Sequence, residues 1–425
     1  MDFVIEGNAH KLAHEVRTEL SLKQINLIKG PVSNLRLVKQ GLTIDLTELI
    51  GGSIQSDLAR RDFTINTLAF SLKSGELLDV FEGLRDLKLK LIRSVSPEAF
   101  SDDPLRTLRA LRFVCTLQGF SLTEKTWEEI QQHAPMITRV SAERIKGELD
   151  RIIASPKAVN GFKNSAEAGL FQFIFREFFS GEAATKMAPG FDLFAEQNNQ
   201  LNGLRRRIED SFNKLATGVE QKNKDLLTIT STEEKFLAYA SIFASLRDNL
   251  PDGMKDHSTA MNHKFDQWLE KYAFFMKRQR FSNLEIKRIN NILSGAELLK
   301  QQLHTHPINR GSLRYLINRV GWDIKLSLSL LLAETFVQNQ EPGVRTRAQD
   351  LVEQIINLLV VQGETIINPP VLVTGEEVSE VTGLTQGVRL GQILNRIRSY
   401  QIKGSISTRQ EALILLHKIL REARG

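Results

Sequence analysis

The hydrophobic pattern of this chain changes at Pro104, and the change divides the sequence into two kinds of structure. Before Pro104, short apolar runs alternate with helical ones, whereas nearly every later segment repeats its apolar residues at helical spacing. Pro104 follows Asp102 and Asp103, and proline is tolerated at the first position of a helix. The sequence therefore predicts an α+β fold with a mixed head, followed by an all-helical neck, body and tail.

Individual elements follow from the same periodicities. In the head we expect strands at 3–5, 35–38 and 42–46, a helix at 9–20, a helix start over 62–68 capped by Asp62 or Thr64, and extended runs at 70–72, 76–79 and 89–92. After Pro104 we expect helices at about 123–133, 141–154, 157–169, 195–215, 232–247, 258–279, 283–303 and 308–335. The predicted domains are a head at 1–113, a neck at 114–180, a body at 181–365 and a tail at 366–425.

Composition limits the class of protein. The 425 residues are 41% hydrophobic and 25% charged, as in ordinary globular proteins. The sequence contains no run of about 18 apolar residues, so we expect no membrane partner. Cys115 is the only cysteine, which excludes an intrachain disulfide and favours a reducing, cytoplasmic location.

Positive charge is concentrated at the C-terminal end. The net charge is +6, and residues 381–425 alone carry eight Lys or Arg against two Glu. This excess is compatible with a polyanionic partner, although a solvated helical face would have the same composition. The residues predicted to bind RNA here are Arg389, Arg396, Arg398 and Lys403.

The segment that begins at Asp103 carries a second charged pattern. Apolar residues at 105, 108, 111 and 114 form one ridge of the predicted helix, and a neighbouring i+3 ridge consists of Asp103, Arg106, Arg109 and Arg112. An Asp and an Arg one turn apart offer an acceptor and a rigid donor fork, which suit the pairing edge of a base. The remaining arginines suit phosphates. The alternative is an amphipathic surface helix with one ion pair.

Five motifs, the last of them in two segments, resemble those of one family. The sequence RRDFTIN at 60–66 resembles the R-R-D-F-T-x-N motif of class II (bacterial-type) CCA-adding enzymes and poly(A) polymerases. Residues 102–113 resemble their E-D-P-x-R-x-x-R-x-x-R-F motif, 78–93 their connector between these motifs, and 140–149 their neck motif. Residues 373–377 and 387–394 are similar to the tail motif of longer CCA-adding members.

The resemblance implies roles for single residues. Asp103 and Arg106 would pair with the base of incoming CTP or ATP, with Asp102 as the acidic residue before them. Arg61, Arg109 and Arg112 would contact the triphosphate, and Asp62 and Asn66 would fix the ribose and the switching loop. Two Mg²⁺ ions would bind carboxylates, of which the chain offers Asp2 and Asp45.

The sequence also departs from the family pattern. The Gly-rich segment that precedes the first catalytic Asp and that Asp itself have no counterpart ahead of Asp2, so the resemblance describes an N-terminally incomplete head. Two explanations are open: a start that lies further upstream, which we favour, or a head that lacks one metal ligand. In either case we expect poor activity from the sequence as it stands.

The function predicted from these features is addition or repair of the 3′ CCA end of tRNA from CTP and ATP by two-metal phosphoryl transfer, with side chains as the template. Alternatives within the family are a poly(A) polymerase, or an A-adding enzyme that shares the task with a C-adding partner. An alternative of another class is a catalytically silent protein that binds tRNA or other RNA 3′ ends.

Overall fold

The structure, a computed structural model, describes residues 1–26, 34–49, 51–178, 190–214, 227–248, 260–303, 309–338, 341–384 and 387–422. It confirms the predicted α+β class: in this part of the chain every strand lies before residue 123, and long helices follow. The chain forms two compact units: residues 1–148, 155–157 and 164–174 form the first, and residues 149–154, 158–163 and 175–425 form the second. The division into head, neck, body and tail stays a prediction.

The first unit opens with a four-stranded sheet covered by one helix. Its elements are β1 (Asp2–Ile5), α1 (Ala9–Leu20), β2 (Lys23–Asn26), β3 (Asn34–Lys39) and β4 (Leu42–Glu48). The strand order is β1-β4-β3-β2, with β1 and β4 parallel and the other neighbours antiparallel. The apolar face of α1 buries Ala9 and Ala13 against Leu35, Leu37 and Leu46. These elements confirm the predicted helix 9–20 and the three predicted strands.

A tight hairpin fixes the register of this sheet. Only Gln40 and Gly41 separate β3 from β4, and Gly41 has a φ of 80°. A two-residue loop of this kind commonly places a glycine in the left-handed region. Counting back from the loop, Arg36 lies opposite Asp45, and the parallel pairing of β1 places Asp2 beside Asp45 on its other side. Two acidic residues and one arginine are thereby brought together across three strands.

Short elements connect this sheet to the next long helix. They are α2 (Ile54–Ala59), β5 (Ala69–Phe70), β6 (Leu77–Leu78), α3 (Gly83–Leu89), β7 (Leu91–Ile92) and α4 (Ala99–Asp102). The predicted helix start over 62–68 is wrong, because only one 3₁₀ turn forms, at Thr64–Asn66. The backbone N–H of Thr64 donates to the carbonyl of Arg93 instead of joining a local helix. The predicted extended run 89–92 is shorter than expected, because Leu89 still belongs to α3.

Helix α5 (Leu105–Thr116) carries Arg106, Arg109 and Arg112 of the predicted charged ridge, whereas Asp103 lies before the helix in extended backbone, contrary to the prediction. Leu105, Leu108 and Leu111 are buried, as the apolar ridge predicts, and Val114 is half-buried. Pro104 precedes the helix as its N-cap, one position earlier than predicted. A two-residue strand, β8 (Ser121–Leu122), follows and pairs in parallel with β7.

The remaining helices agree to within a few residues wherever bounds were predicted, with one exception. They are α6 (Glu124–His133), α7 (Ala142–Ile153), α8 (Ala158–Glu167), α9 (Phe171–Ile174), α10 (Gly190–Lys214), α11 (Ser231–Asp248), α12 (Ala260–Arg278), α13 (Asn283–Gln302), α14 (Arg310–Val320), α15 (Ile324–Val337), α16 (Pro342–Ile367), α17 (Gly375–Thr382), α18 (Val388–Lys403) and α19 (Arg409–Glu422). The single helix predicted at 308–335 is two helices, because Gly321 has a φ of 70° and ends the first. No bounds were predicted for α9, α16, α17, α18 or α19. The predicted helix ends at 215, 258 and 308 lie outside the described residues.

Among the helices of the described ranges, none is both long and apolar enough to cross a membrane.

A buried ionic cluster joins three helices of the second unit. Glu233 on α11 accepts hydrogen bonds from Arg288 on α13 at 2.9 Å and from Lys325 on α15 at 3.1 Å. The Arg288 Nε donates to Asp323 at 2.6 Å. Burial raises the pKa of the Glu233 carboxyl, but hydrogen bonds from Thr230, Arg288 and Lys325 outweigh burial and leave the pKa below its ordinary value. The folded state therefore favours ionised Glu233.

This cluster predicts how the stability of the second unit depends on pH. Because the folded pKa of Glu233 is depressed, its stabilising effect is complete above about pH 4.5 and is lost as the pH falls through the folded pKa. We expect Glu233→Gln to lower the free energy of unfolding at neutral pH by about 2 kcal/mol, since hydrogen bonds to a charged group are weakened, and to weaken the acid dependence below pH 4.5. Hydrogen exchange of peptides from α11, α13 and α15 at several pH values would measure both effects. An acid dependence identical to that of the wild type would contradict the prediction.

Candidate nucleotide-recognition site

Asp62 links the first charged motif to α5. Its carboxylate is almost fully buried and accepts hydrogen bonds from the backbone N–H of Phe63 at 2.9 Å and from the Asn66 side chain at 2.8 Å. The Arg109 guanidinium donates to the other carboxylate oxygen through Nε at 3.0 Å and Nη2 at 2.5 Å. Three residues predicted to bind nucleotide, separated by as many as 47 positions, are therefore one hydrogen-bonded group.

Asp103 and Arg106 are held in place by separate sets of partners. Asp103 accepts from Arg144 of α7 at 2.6 Å and from the backbone N–H of Leu105 at 3.3 Å. Arg106 donates to the carbonyl oxygens of Ala99 at 3.0 Å and Arg60 at 2.5 Å. Each carboxylate oxygen has a second lone pair, and a guanidinium has five N–H groups, so both side chains keep capacity for a ligand. Asp102 is exposed at the end of α4.

Arg112 differs from its neighbours on the ridge because it is mostly buried. Its side chain is 15% exposed, and its Nε donates at 2.6 Å to Glu148, whose side chain is 2% exposed. The Arg112 guanidinium also lies 4.0 Å from the centroid of the Phe113 ring. The arrangement fixes α5 to α7 within the first unit. A triphosphate contact for Arg112 stays a prediction, and the structure gives this residue a positioning role.

Arg61 retains the exposure that a phosphate contact requires. Its Nη2 donates at 2.9 Å to Asp57, one turn earlier on α2, and its side chain is 41% exposed. Asp57 itself is buried, so the ion pair fixes the direction of the arginine while its guanidinium still meets solvent.

Asp86 supports the loop that carries Asp62. Its buried carboxylate accepts from Thr64 Oγ1 at 2.7 Å and from Arg93 Nε at 2.9 Å. Burial raises the pKa of Asp86, but the hydrogen bonds from Arg93 and Thr64 outweigh burial and lower it. The loop also passes very close to Gly83, where an added Cβ would lie 2.4 Å from the carbonyl oxygen of Thr64. Any larger residue at position 83 would displace this loop.

The predicted metal ligands lie in a different setting. Both oxygens of Asp45 accept hydrogen bonds from Arg36, at 2.6 and 2.7 Å, and Asp2 is exposed beside them. The Arg36 guanidinium lowers the pKa of Asp45, and Asp45 raises that of Arg36. The described residues include no group of three or more His, Cys, Asp or Glu that could hold a metal ion. As they stand, Asp2 and Asp45 do not fit a two-ion Mg²⁺ site, because a cationic side chain already engages one of the two carboxylates. Their predicted role stays a prediction.

The four residues predicted to bind RNA share helix α18, and all four are exposed. Arg389, Arg396 and Lys403 follow at intervals of seven residues and therefore lie along one face. Arg396 also donates to Glu422 of α19 at 2.7 Å. Arg398 lines a cavity of about 340 Å³ together with Thr374 and Gly375 at the start of α17.

Sequence reasoning missed the partners that hold these residues. Arg144 and Glu148 have the i,i+4 spacing that favours a local helical ion pair, but in the structure Arg144 contacts Asp103 and Glu148 contacts Arg112. Arg36 was not identified at all. A signal for it was present, because the two-residue hairpin loop places Arg36 opposite Asp45 by counting alone. The roles of Asp57 and Asp86 depend on contacts that no local pattern indicates.

Two regions of the chain match models of known domains. Residues 2–93 match the model of the poly(A) polymerase head domain, and residues 119–181 match that of a probable RNA- and SrmB-binding site of polymerase A. These matches assign the head and the RNA-binding region to the family of poly(A) polymerases and CCA-adding enzymes. The family resemblance carried by the sequence motifs is confirmed, and the relatives named below support a nucleotidyltransferase.

Relatives similar to this chain are named for the addition of different nucleotides. An A-adding tRNA nucleotidyltransferase of Deinococcus radiodurans is 27% identical over 88% of this chain and 81% of its own length. A CC-adding enzyme of Synechocystis sp. is 25% identical over 97% of this chain and 86% of its own length. A CC-adding enzyme of Geobacter sulfurreducens is 43% identical, but over only 32% of this chain and 31% of its own length. High identity is therefore local.

Solved structures share the fold. A CCA-adding enzyme in complex with ATP has a TM-score of 0.62 at 20% identity and covers 100% of this chain and 86% of that one. The Thermotoga maritima CCA-adding enzyme in complex with tRNA has a TM-score of 0.59 at 21% identity and covers 99% of this chain and 86% of that one. At these identities the likeness establishes the architecture alone.

Proposed function

We propose that this chain adds nucleotides to the 3′ end of tRNA and selects ATP and CTP with side chains instead of a nucleic-acid template. The observation that carries the proposal is the arrangement around the start of α5, where Arg144 holds Asp103 and Asp62 holds Arg109 and Asn66. Relatives named A-adding and CC-adding tRNA nucleotidyltransferases support the reaction. Similar structures solved with ATP, CTP and tRNA support the ligands.

In this proposal the side chains of the first unit bind and orient the nucleotide. Asp103 and Arg106 offer an acceptor and donors to the pairing edge of the base, and a mismatched base would leave these groups unpaired. Arg61 and Arg109 contact phosphates, and Asp102 adds a second negative charge next to Asp103. The primer 3′ hydroxyl then attacks the α-phosphate, and pyrophosphate leaves. Participation of Mg²⁺ stays a prediction, as does the cytoplasmic location.

The exposed arginines and lysine of α18 are proposed to contact the tRNA backbone. The seven-residue spacing of Arg389, Arg396 and Lys403 gives a row of cations along one helix face, which suits consecutive phosphates and carries no base specificity. Binding through such contacts weakens steeply as salt is added.

A transfer assay tests this function. Purified protein is incubated with tRNAs that lack one, two or three terminal nucleotides and with each labelled NTP in turn. We expect incorporation from ATP, from CTP or from both, and none from GTP or UTP. Incorporation of A alone would indicate an A-adding enzyme, and long A tracts on any RNA would indicate a poly(A) polymerase. Equal incorporation of all four nucleotides would contradict side-chain selection.

The engagement of Asp45 by Arg36 favours a second candidate, a catalytically silent tRNA-binding protein. This alternative predicts tRNA binding with the same salt dependence and no incorporation of any nucleotide. The assay above, combined with a tRNA-binding titration at several salt concentrations, distinguishes the two candidates.

A further inference from the structure

Arg36 and Asp45 form a pair that the strand register defines. The two residues lie directly opposite each other in the antiparallel β3–β4 ladder, only three pairs from the end of the two-residue hairpin. Both guanidinium-to-carboxylate bonds are short, and their parallel geometry is the bidentate arrangement that Arg and carboxylates favour. Neither residue lies in a loop, so the contact is determined by the sheet.

We propose that Arg36 is a built-in counter-ion of Asp45 that keeps divalent cations off this carboxylate. The inference rests on the proposed function only in taking Asp2 and Asp45 as the acidic residues of the head. With Arg36 present, the three side chains carry a net charge of −1, and both oxygens of Asp45 are engaged. Without it, two carboxylates in register on adjacent strands would carry −2, and the affinity for a hard cation rises with the charge of its ligands.

Direct repulsion adds to this competition. A divalent ion at Asp45 would lie within a few ångströms of the Arg36 guanidinium, where like charges repel strongly even when partly solvated. The ion would therefore have to displace Arg36 from Asp45 and move it away. A lysine at position 36 would retain the repulsion while losing the bidentate fork.

The experiment measures Mn²⁺ binding by the full-length protein from the electron paramagnetic resonance signal of free Mn²⁺. We expect Arg36→Gln to bind Mn²⁺ at least tenfold more tightly than the wild type, and Arg36→Lys to stay near the wild type. The gain should disappear in Arg36→Gln/Asp45→Asn. Arg85→Gln, which removes an exposed arginine paired with Glu82, serves as the matched control and should change nothing.

Two results would overturn the proposal: an unchanged affinity in folded Arg36→Gln, or a gain that survives removal of the Asp45 charge. Circular dichroism establishes folding of each variant. If Arg36→Gln does not fold, Mn²⁺ binding by the Asp45→Asn variant tests the proposal on its own. The proposal predicts that this variant leaves Mn²⁺ binding by the protein unchanged, because Arg36 already occupies Asp45, and a clear loss of binding would contradict it.

Failure of this inference is distinguishable from failure of the proposed function. Mn²⁺ binding is measured without tRNA or nucleotide, so it reports on Arg36 whether or not the chain transfers nucleotides. A gain in Mn²⁺ affinity without incorporation of any nucleotide would support the inference and count against the proposed function. Incorporation of nucleotide by the wild type, with no change in Mn²⁺ affinity in Arg36→Gln, would support the proposed function and count against the inference.

Discussion

Glu148→Ala is expected to lower the free energy of unfolding of the first unit by about 4 kcal/mol, because removing one partner of a buried ion pair leaves the other charge uncompensated. Glu148 is almost fully buried. The Arg112 guanidinium, which donates a hydrogen bond to Glu148, also has little access to water. The affected contact joins α5 to α7, so the loss should appear in both helices. It should also reduce nucleotide binding, since α5 carries Arg106 and Arg109.

Urea unfolding combined with hydrogen exchange of peptides from α5 and α7 measures this effect. Arg85→Ala, which breaks an exposed pair in the same unit, is the control and should cost no more than about 0.5 kcal/mol. Replacing both partners, as in Arg112→Met/Glu148→Leu, should restore much of the loss because no buried charge remains unpaired. A cost for Glu148→Ala equal to that of the control would contradict the interpretation of this pair.

The second large effect concerns selection of the nucleotide. Asp103→Ala is expected to reduce discrimination between ATP and GTP by about 100-fold, because the charged acceptor at the pairing edge of the base is lost. The readout is the ratio of kcat/KM values for the two nucleotides in tRNA extension. If no transfer occurs, the ratio of their dissociation constants replaces it.

Two variants separate this effect from damage to the fold. Glu98→Gln neutralises an exposed carboxylate near the start of α4 and should leave the ratio unchanged. Arg144→Met removes the side chain that holds Asp103 and should reduce the ratio less than Asp103→Ala does, since the carboxylate remains. Equal ratios in Asp103→Ala and the wild type would show that this carboxylate does not read the base.

Local sequence patterns predict the helices and strands of this fold well where no contact with a distant part of the chain competes with them. The bounds of α1 match the prediction because Asn8 caps the helix and its apolar residues recur on one face. The prediction over 62–68 is wrong because Asp62 bonds to Arg109, far along the chain, and Thr64 bonds to Arg93. One residue, Gly321, divides what the periodicity indicates as a single helix, since its left-handed backbone ends α14.

In the candidate site, too, local patterns predict single residues but not the contacts between residues that are distant in sequence. The motifs predicted roles for Asp62, Asp103 and Arg109, but the ion pairs that orient these residues connect positions 41 and 47 residues apart. Such pairs depend on how helices pack and have no periodicity to detect. The Arg36–Asp45 pair is an intermediate case: it could have been counted from a short hairpin, and it changes the interpretation of the predicted metal ligands.

Equilibrium binding of the four nucleoside triphosphates to the wild-type protein tests the central claim most directly. If side chains at the start of α5 choose the base, ATP or CTP, or both, should bind at least about tenfold more tightly than GTP and UTP in the absence of any RNA. Indistinguishable dissociation constants for all four would contradict the account.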